Sequence, residues 1–110
     1  MNISEIGWFQ FENLVKNRVP FLLLNLGVDL SGLFQGLEQK HVRSLEIQTT
    51  ATRALEDLKK RSQDFKYAVI VLCPKGDESA PLVHAVEAAG YLNVYSIHGG
   101  LQGLIQEKST

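Results

Sequence analysis

The chain has little of what staples or stiffens small proteins. Its 110 residues include one cysteine, three prolines, one tryptophan and one methionine. A single cysteine excludes an intramolecular disulfide and any multi-cysteine zinc site. Long apolar runs are missing as well. The strongest is Phe21-Leu22-Leu23-Leu24, interrupted by Asn25, whereas a membrane-spanning helix needs roughly 20 apolar residues. The opening MNISEIGWFQFENLV has no basic segment followed by an apolar block, so it does not read as a secretory signal. Nor is there a surplus of charge: 11 Lys and Arg against 12 Asp and Glu leave a net charge of −1. Nucleic-acid binders normally carry a basic surplus. The expectation is therefore no nucleic-acid partner, no membrane partner and a cytoplasmic location, where a lone thiol stays reduced.

What remains is the composition of one globular domain. Apolar residues make up 45% and charged residues 21%, enough to build a core at this length. No internal repeat, low-complexity stretch or linker divides the chain, so a single domain over 1–110 is expected.

Ser4 is placed to cap a helix over Glu5 to Asn17, with Ile6, Phe9, Leu14 and Val15 as its apolar stripe. After Pro20, the run Phe21 to Leu26 is continuously apolar and of strand length, the pattern of a strand covered on both faces. Val28 to Ser44 is the least readable stretch; Leu30, Leu33, Phe34 and Leu37 allow a short helix there. Leu45-Glu46-Ile47 suits a short strand. Thr50 to Arg61 reads as a helix with Leu55 and Leu58 inward and Arg53, Glu56, Asp57, Lys59 and Lys60 outward. Tyr67 to Leu72 is the best strand. A loop CPKGDES follows, then a helix from Ser79 with Pro81 in its first turn and Gly90 past its end. Asn93 to Ile97 is a further strand, Gly99-Gly100 turns into a short final helix, and EKST is a polar tail. Strands alternating with helices predict a mostly parallel α/β sheet with helices on both faces. Ligands of such sheets bind at the carboxyl ends of the strands.

Cys73 stands at such a place, directly after the best strand and before a helix. A strand-to-helix loop turns backbone N–H groups inward and carries the positive end of the helix dipole. Both favour an anion, whether a thiolate, a persulfide or an oxyanion substrate. Cys73 is therefore the one credible nucleophile. The bland reading is a small apolar residue closing a strand, since free cysteine is among the most buried residue types.

The segment VIVLCPKGDESAPLVHAVEAAGYLNVYSIHGGLQGL, over 69–104, resembles the C-terminal half of a rhodanese-like domain. The resemblance rests on an apolar strand ending in Cys73, a loop with Gly76, then Ser79 and Ala80. Gly90-Tyr91-Leu92-Asn93-Val94 and Gly99-Gly100-Leu101 complete the pattern. ISEIGWFQFENLV and PFLLLNL are similar, more loosely, to the family's opening helix and first core strand. The resemblance implies a three-layer α/β domain around a mostly parallel five-stranded sheet. It also implies sulfur transfer: Cys73 takes sulfane sulfur from thiosulfate or another donor, becomes a persulfide, and passes the sulfur to a thiophilic acceptor. Lys75, Gly76, Asp77, Glu78 and Ser79 would then surround the substrate. The partner would be a small anionic donor or a persulfide-carrying protein, with neither cofactor nor metal.

The sequence also departs from the family. Pro74 has no N–H to offer. Asp77 and Glu78 place two carboxylates at the loop, against a thiolate and an anionic donor, with Lys75 partly offsetting them. Asn25-Leu26-Gly27 stands where the family's first core strand ends in Asp-Val-Arg. These departures suit an alternative, a rhodanese-like interaction module with weak catalysis or none. A cysteine-dependent phosphatase is disfavoured, because Leu72 and Ser79 occupy the places of its His and Arg. His41, His84 and His98 have no metal-ligand spacing.

Overall fold

The structure is a computed structural model that describes residues 5–30 and 32–109. Among the described residues five strands form one sheet: β1 (Glu5–Ile6), β2 (Leu22–Asn25), β3 (Glu46–Gln48), β4 (Val69–Leu72) and β5 (Val94–Ile97). Every pairing is parallel, and the order across the sheet is β1-β5-β4-β2-β3. Five helices among the described residues connect and cover the strands: α1 (Trp8–Lys16), α2 (Gly36–Leu45), α3 (Ala54–Arg61), α4 (Ser79–Ala88) and α5 (Gly100–Lys108).

The continuous apolar runs at β2 and β4 follow from their central positions. All four residues of each strand are buried, because a parallel sheet carries helices on both faces. Side chains alternate between the faces. Leu23, Ile70, Leu72 and Ile97 join a core with Trp8, Phe11 and Val15 of α1, Val42 of α2 and Leu104 of α5. Leu22, Leu24, Val69, Val71 and Val94 join a second core with Ala54 and Leu58 of α3 and Leu82, Val83 and Val86 of α4. The three layers are therefore α1, α2 and α5, the sheet, and α3 with α4.

Several expectations are corrected at the edges of elements. The first helix begins at Trp8, not Glu5; Glu5 and Ile6 form the edge strand, with Ile6 beside Ile97. Gly7 precedes the helix, its N–H bonded to the Gln10 carboxamide, while the Trp8 N–H donates to Glu107. The expected Ser4 cap lies outside the described residues. Phe9 is not in the apolar stripe but points outward, 69% exposed. No short helix forms over Leu30, Leu33 and Phe34; these are buried loop residues, and the helix follows at Gly36–Leu45 with Leu37 exposed. Thr50 to Arg53 is a turn ahead of α3 rather than its first turn. Glu107 and Lys108 belong to α5, not to a tail. Among the described residues no helix is long and apolar enough to cross a membrane.

Candidate functional site at the carboxyl edge of the sheet

Strand alternation places Cys73. Val69 and Val71 face α3 and α4, and Cys73 continues that parity one residue beyond β4, in the same core. Its side chain thus points toward the start of α4, where Ser79 is the first helical residue. The Cys73 Sγ lies 2.9 Å from Ser79 Oγ and accepts the Gly76 N–H at 3.0 Å. Both Cys73 and Ser79 are buried, with 0% and 1% of their surface exposed. The loop returns on its own sulfur because Gly76 adopts a φ of 89°, a left-handed conformation that suits glycine.

A second element locks the loop. The Leu101 N–H donates to the Cys73 carbonyl at 2.9 Å, and the Gln102 N–H to the Pro74 carbonyl at 3.1 Å. The first turn of α5 therefore rests on the cysteine loop through backbone alone. Gly100 makes this approach possible. Its φ is 62°, and a Cβ there would overlap the Cys73 carbonyl and crowd the Gly76 and Lys75 nitrogens.

Of the residues singled out in the sequence, the fold brings Gly76 and Ser79 to the sulfur. Lys75, Asp77 and Glu78 are exposed on the outer side of the loop, and no ion pair among the described residues engages them. Glu78 is the residue preceding α4 but makes no capping hydrogen bond, so its carboxylate meets the helix only through the dipole. Asp77 and Glu78 also line a shallow cleft of about 340 Å³ beside Pro81, Leu82 and Ala85. The histidines are dispersed: His84 is exposed on α4, and His98 lies 3.6 Å from Glu5. His41 lies on α2, and its buried Nε2 has no hydrogen-bond partner among the described residues. Among the described residues no three His, Cys, Asp or Glu side chains could hold a metal ion.

In the sequence Asn25 stands out as a departure from the family's strand end and not as a residue that shapes the fold. It is 1% exposed at the end of β2, and its carboxamide both donates to the Val28 carbonyl (2.8 Å) and accepts the Val28 N–H (2.6 Å). A lone polar residue closing an apolar strand, two positions before Gly27, was the available signal.

The arrangement defines a class first: a parallel α/β domain with a thiol at the carboxyl end of a central strand, enclosed by the loop that enters the next helix. Comparison with solved structures makes the class specific. The rhodanese-like domain from an Anabaena sp protein superposes with a TM-score of 0.67 at 13% identity, over 97% of this chain and 76% of that one. A rhodanese-related protein from Thermoplasma volcanium gives 0.62 at 22% identity, over 94% and 92%. A rhodanese homologue from Thermus thermophilus gives 0.60 at 17%, over 92% and 100%. No family model and no curated protein sequence matches the chain. The chain has the rhodanese-like fold.

Proposed function

We propose that this protein moves sulfane sulfur through a persulfide on Cys73. The observation that supports this reading is the convergence of two groups from one loop on a single sulfur: the Gly76 N–H donates to it, and the Ser79 hydroxyl lies 2.9 Å away, where it donates once the thiol is ionised. Such donors hold negative charge on sulfur, and the start of α4 adds its dipole.

The chemistry runs in two displacements. The Cys73 thiolate attacks the outer sulfur of the donor; with thiosulfate, a Cys73 S–S bond forms, the donor's S–S bond breaks, and sulfite leaves with the bonding pair. The persulfide then carries the negative charge on its outer sulfur, near the same donors. A thiophilic acceptor such as cyanide attacks that sulfur, thiocyanate leaves, and the thiolate returns. Proximity of both steps to one fixed loop is what the fold supplies.

Two features set the terms. Cys73 has no exposed surface, so covering side chains must move aside for a donor to reach the sulfur. Asp77 and Glu78 oppose a dianion while Lys75 attracts it. One net negative charge at the loop costs on the order of 1 kcal/mol, about fivefold in thiosulfate binding. The charge pattern therefore favours a persulfide carried by a protein or an uncharged thiol over inorganic thiosulfate.

Complete burial of Cys73, together with the exposed acids Asp77 and Glu78, supports a second reading: a rhodanese-like interaction module without turnover. Thiocyanate formation from cyanide separates the two, with thiosulfate and with a protein persulfide as donors. The sulfur-transfer reading expects formation by the wild type and none by Cys73→Ser. Equal background rates for both proteins with both donors overturn sulfur transfer, and the interaction module is the reading that then stands.

A further inference from the structure

A cleft of about 580 Å³ opens at the carboxyl edge of β2 and β3, between the loop after β2 and helix α2. It is separate from the cysteine site. Its apolar wall is Val28, Leu30 and Phe34, which belong to the core on the α1, α2 and α5 face, whereas Cys73 belongs to the opposite core. The wall is fixed by Asn25, which bonds both the N–H and the carbonyl of Val28. The rest of the lining is polar, including Gln39, Arg43, Glu46 and Gln48, so an apolar wall faces groups able to fix a ligand's orientation.

Three charged residues line this cleft: Asp29, which has an interaction of its own, and Arg43 and Glu46, which are of opposite sign and do not pair with each other. Arg43 projects from α2 and Glu46 from β3. No ion pair joins them, although they are three residues apart in sequence. Glu46 accepts the Asn25 and Gln48 carboxamides on one oxygen only, Oε2. A cation and a carboxylate that line one cleft without neutralising each other complement a ligand carrying both signs itself. A dianion would meet the carboxylates of Glu46 and Asp29, and a simple cation would meet the guanidinium.

We propose that this cleft binds a small zwitterion with an apolar side chain, an amino-acid-like ligand. Its carboxylate sits on the planar fork of Arg43, which suits carboxylate geometry. Its ammonium faces Glu46, and its side chain lies on Val28, Leu30 and Phe34. The proposal does not depend on sulfur transfer, because none of these residues touches Cys73.

The test is titration of isotope-labelled protein with L-leucine, followed by amide NMR. Saturable shifts at Val28, Leu30 and Phe34 are expected, with a Kd on the order of 1 mM for so small a ligand. Isocaproate lacks the ammonium and isoamylamine lacks the carboxylate; each should bind at least about tenfold more weakly. Arg43 is exposed, so Arg43→Gln should fold normally and lose binding to a similar degree. Cys73→Ser should bind leucine as the wild type does, whatever its sulfur chemistry. Absence of saturable shifts at about 10 mM leucine overturns the proposal. So does undiminished binding by Arg43→Gln, or isocaproate binding as tightly as leucine.

Discussion

The Cys73 sulfur and the Ser79 hydroxyl lie 2.9 Å apart, one just past the end of β4 and the other at the first residue of α4. The loop between them closes so that a strand end and a helix start meet at one buried point. With Ser79→Ala the sulfur keeps only the Gly76 N–H. A buried hydrogen bond of this kind contributes about 1 kcal/mol. Ser79→Ala should lower the unfolding free energy by that amount in urea titration. It should also slow persulfide formation at fixed pH, and Ser79→Thr should restore part of the rate. An unchanged rate would assign Ser79 to packing alone.

Gly100 governs the same loop from the other side. Its φ is 62°, and a side chain there would overlap the Cys73 carbonyl. Gly100→Ala should therefore destabilise the domain by about 2–4 kcal/mol, the range of strained or overpacked backbone substitutions. Gly32→Ala, where the added Cβ meets nothing within 4 Å, serves as the control. Equal stability of the two variants would show that α5 does not press on the loop.

Tyr91 sets a pH dependence of stability. Burial raises its pKa above the ordinary 10.0, and its hydroxyl donates to the Ser62 carbonyl at 2.7 Å. The folded state thus holds the phenol proton more tightly than the unfolded chain. The stability it contributes is complete below pH 10.0 and is lost as pH rises through the raised folded value. Urea midpoints measured across that range should fall for the wild type. Tyr91→Phe should lose this part of the slope, at a cost of about 1 kcal/mol at neutral pH.

Arg18 ends α1 in an unfavourable conformation. Its φ is 54°, while its N–H bonds the Val15 carbonyl and the Val19 N–H bonds the Leu14 carbonyl. This is the double hydrogen bond of a helix terminus that favours glycine at the left-handed position. Arg18→Gly should stabilise the domain by about 0.5–1 kcal/mol, read from the thermal midpoint. A lower midpoint would mean that the arginine side chain compensates its own backbone.

Legibility in the sequence followed the strength of the local pattern. The runs at Phe21 to Leu26 and Tyr67 to Leu72 could be read as central parallel strands because an unbroken apolar run of that length needs cover on both faces. Pro81 and Gly90 bracket α4 at the places where each residue is sterically favoured. Glu5-Ile6 was illegible: two residues carry no periodicity, and a helical stripe absorbed them. Leu30, Leu33 and Phe34 have helical spacing but are loop residues that close the core, whereas α2 buries only Val42 and so shows almost no stripe. At the candidate site, the contacts from Gly76 and Ser79 follow from their spacing after Cys73. The clamp by Gly100 and Leu101 joins segments far apart in the chain, and no local pattern records it.

The proposed function stands on a persulfide at Cys73 within this loop. Intact-mass spectrometry of the reduced protein after exposure to a sulfur donor, beside Cys73→Ser, tests it most directly. The wild type should gain one sulfur atom, absent from the variant and removed by cyanide. A wild-type mass unchanged by both thiosulfate and a protein persulfide would contradict it.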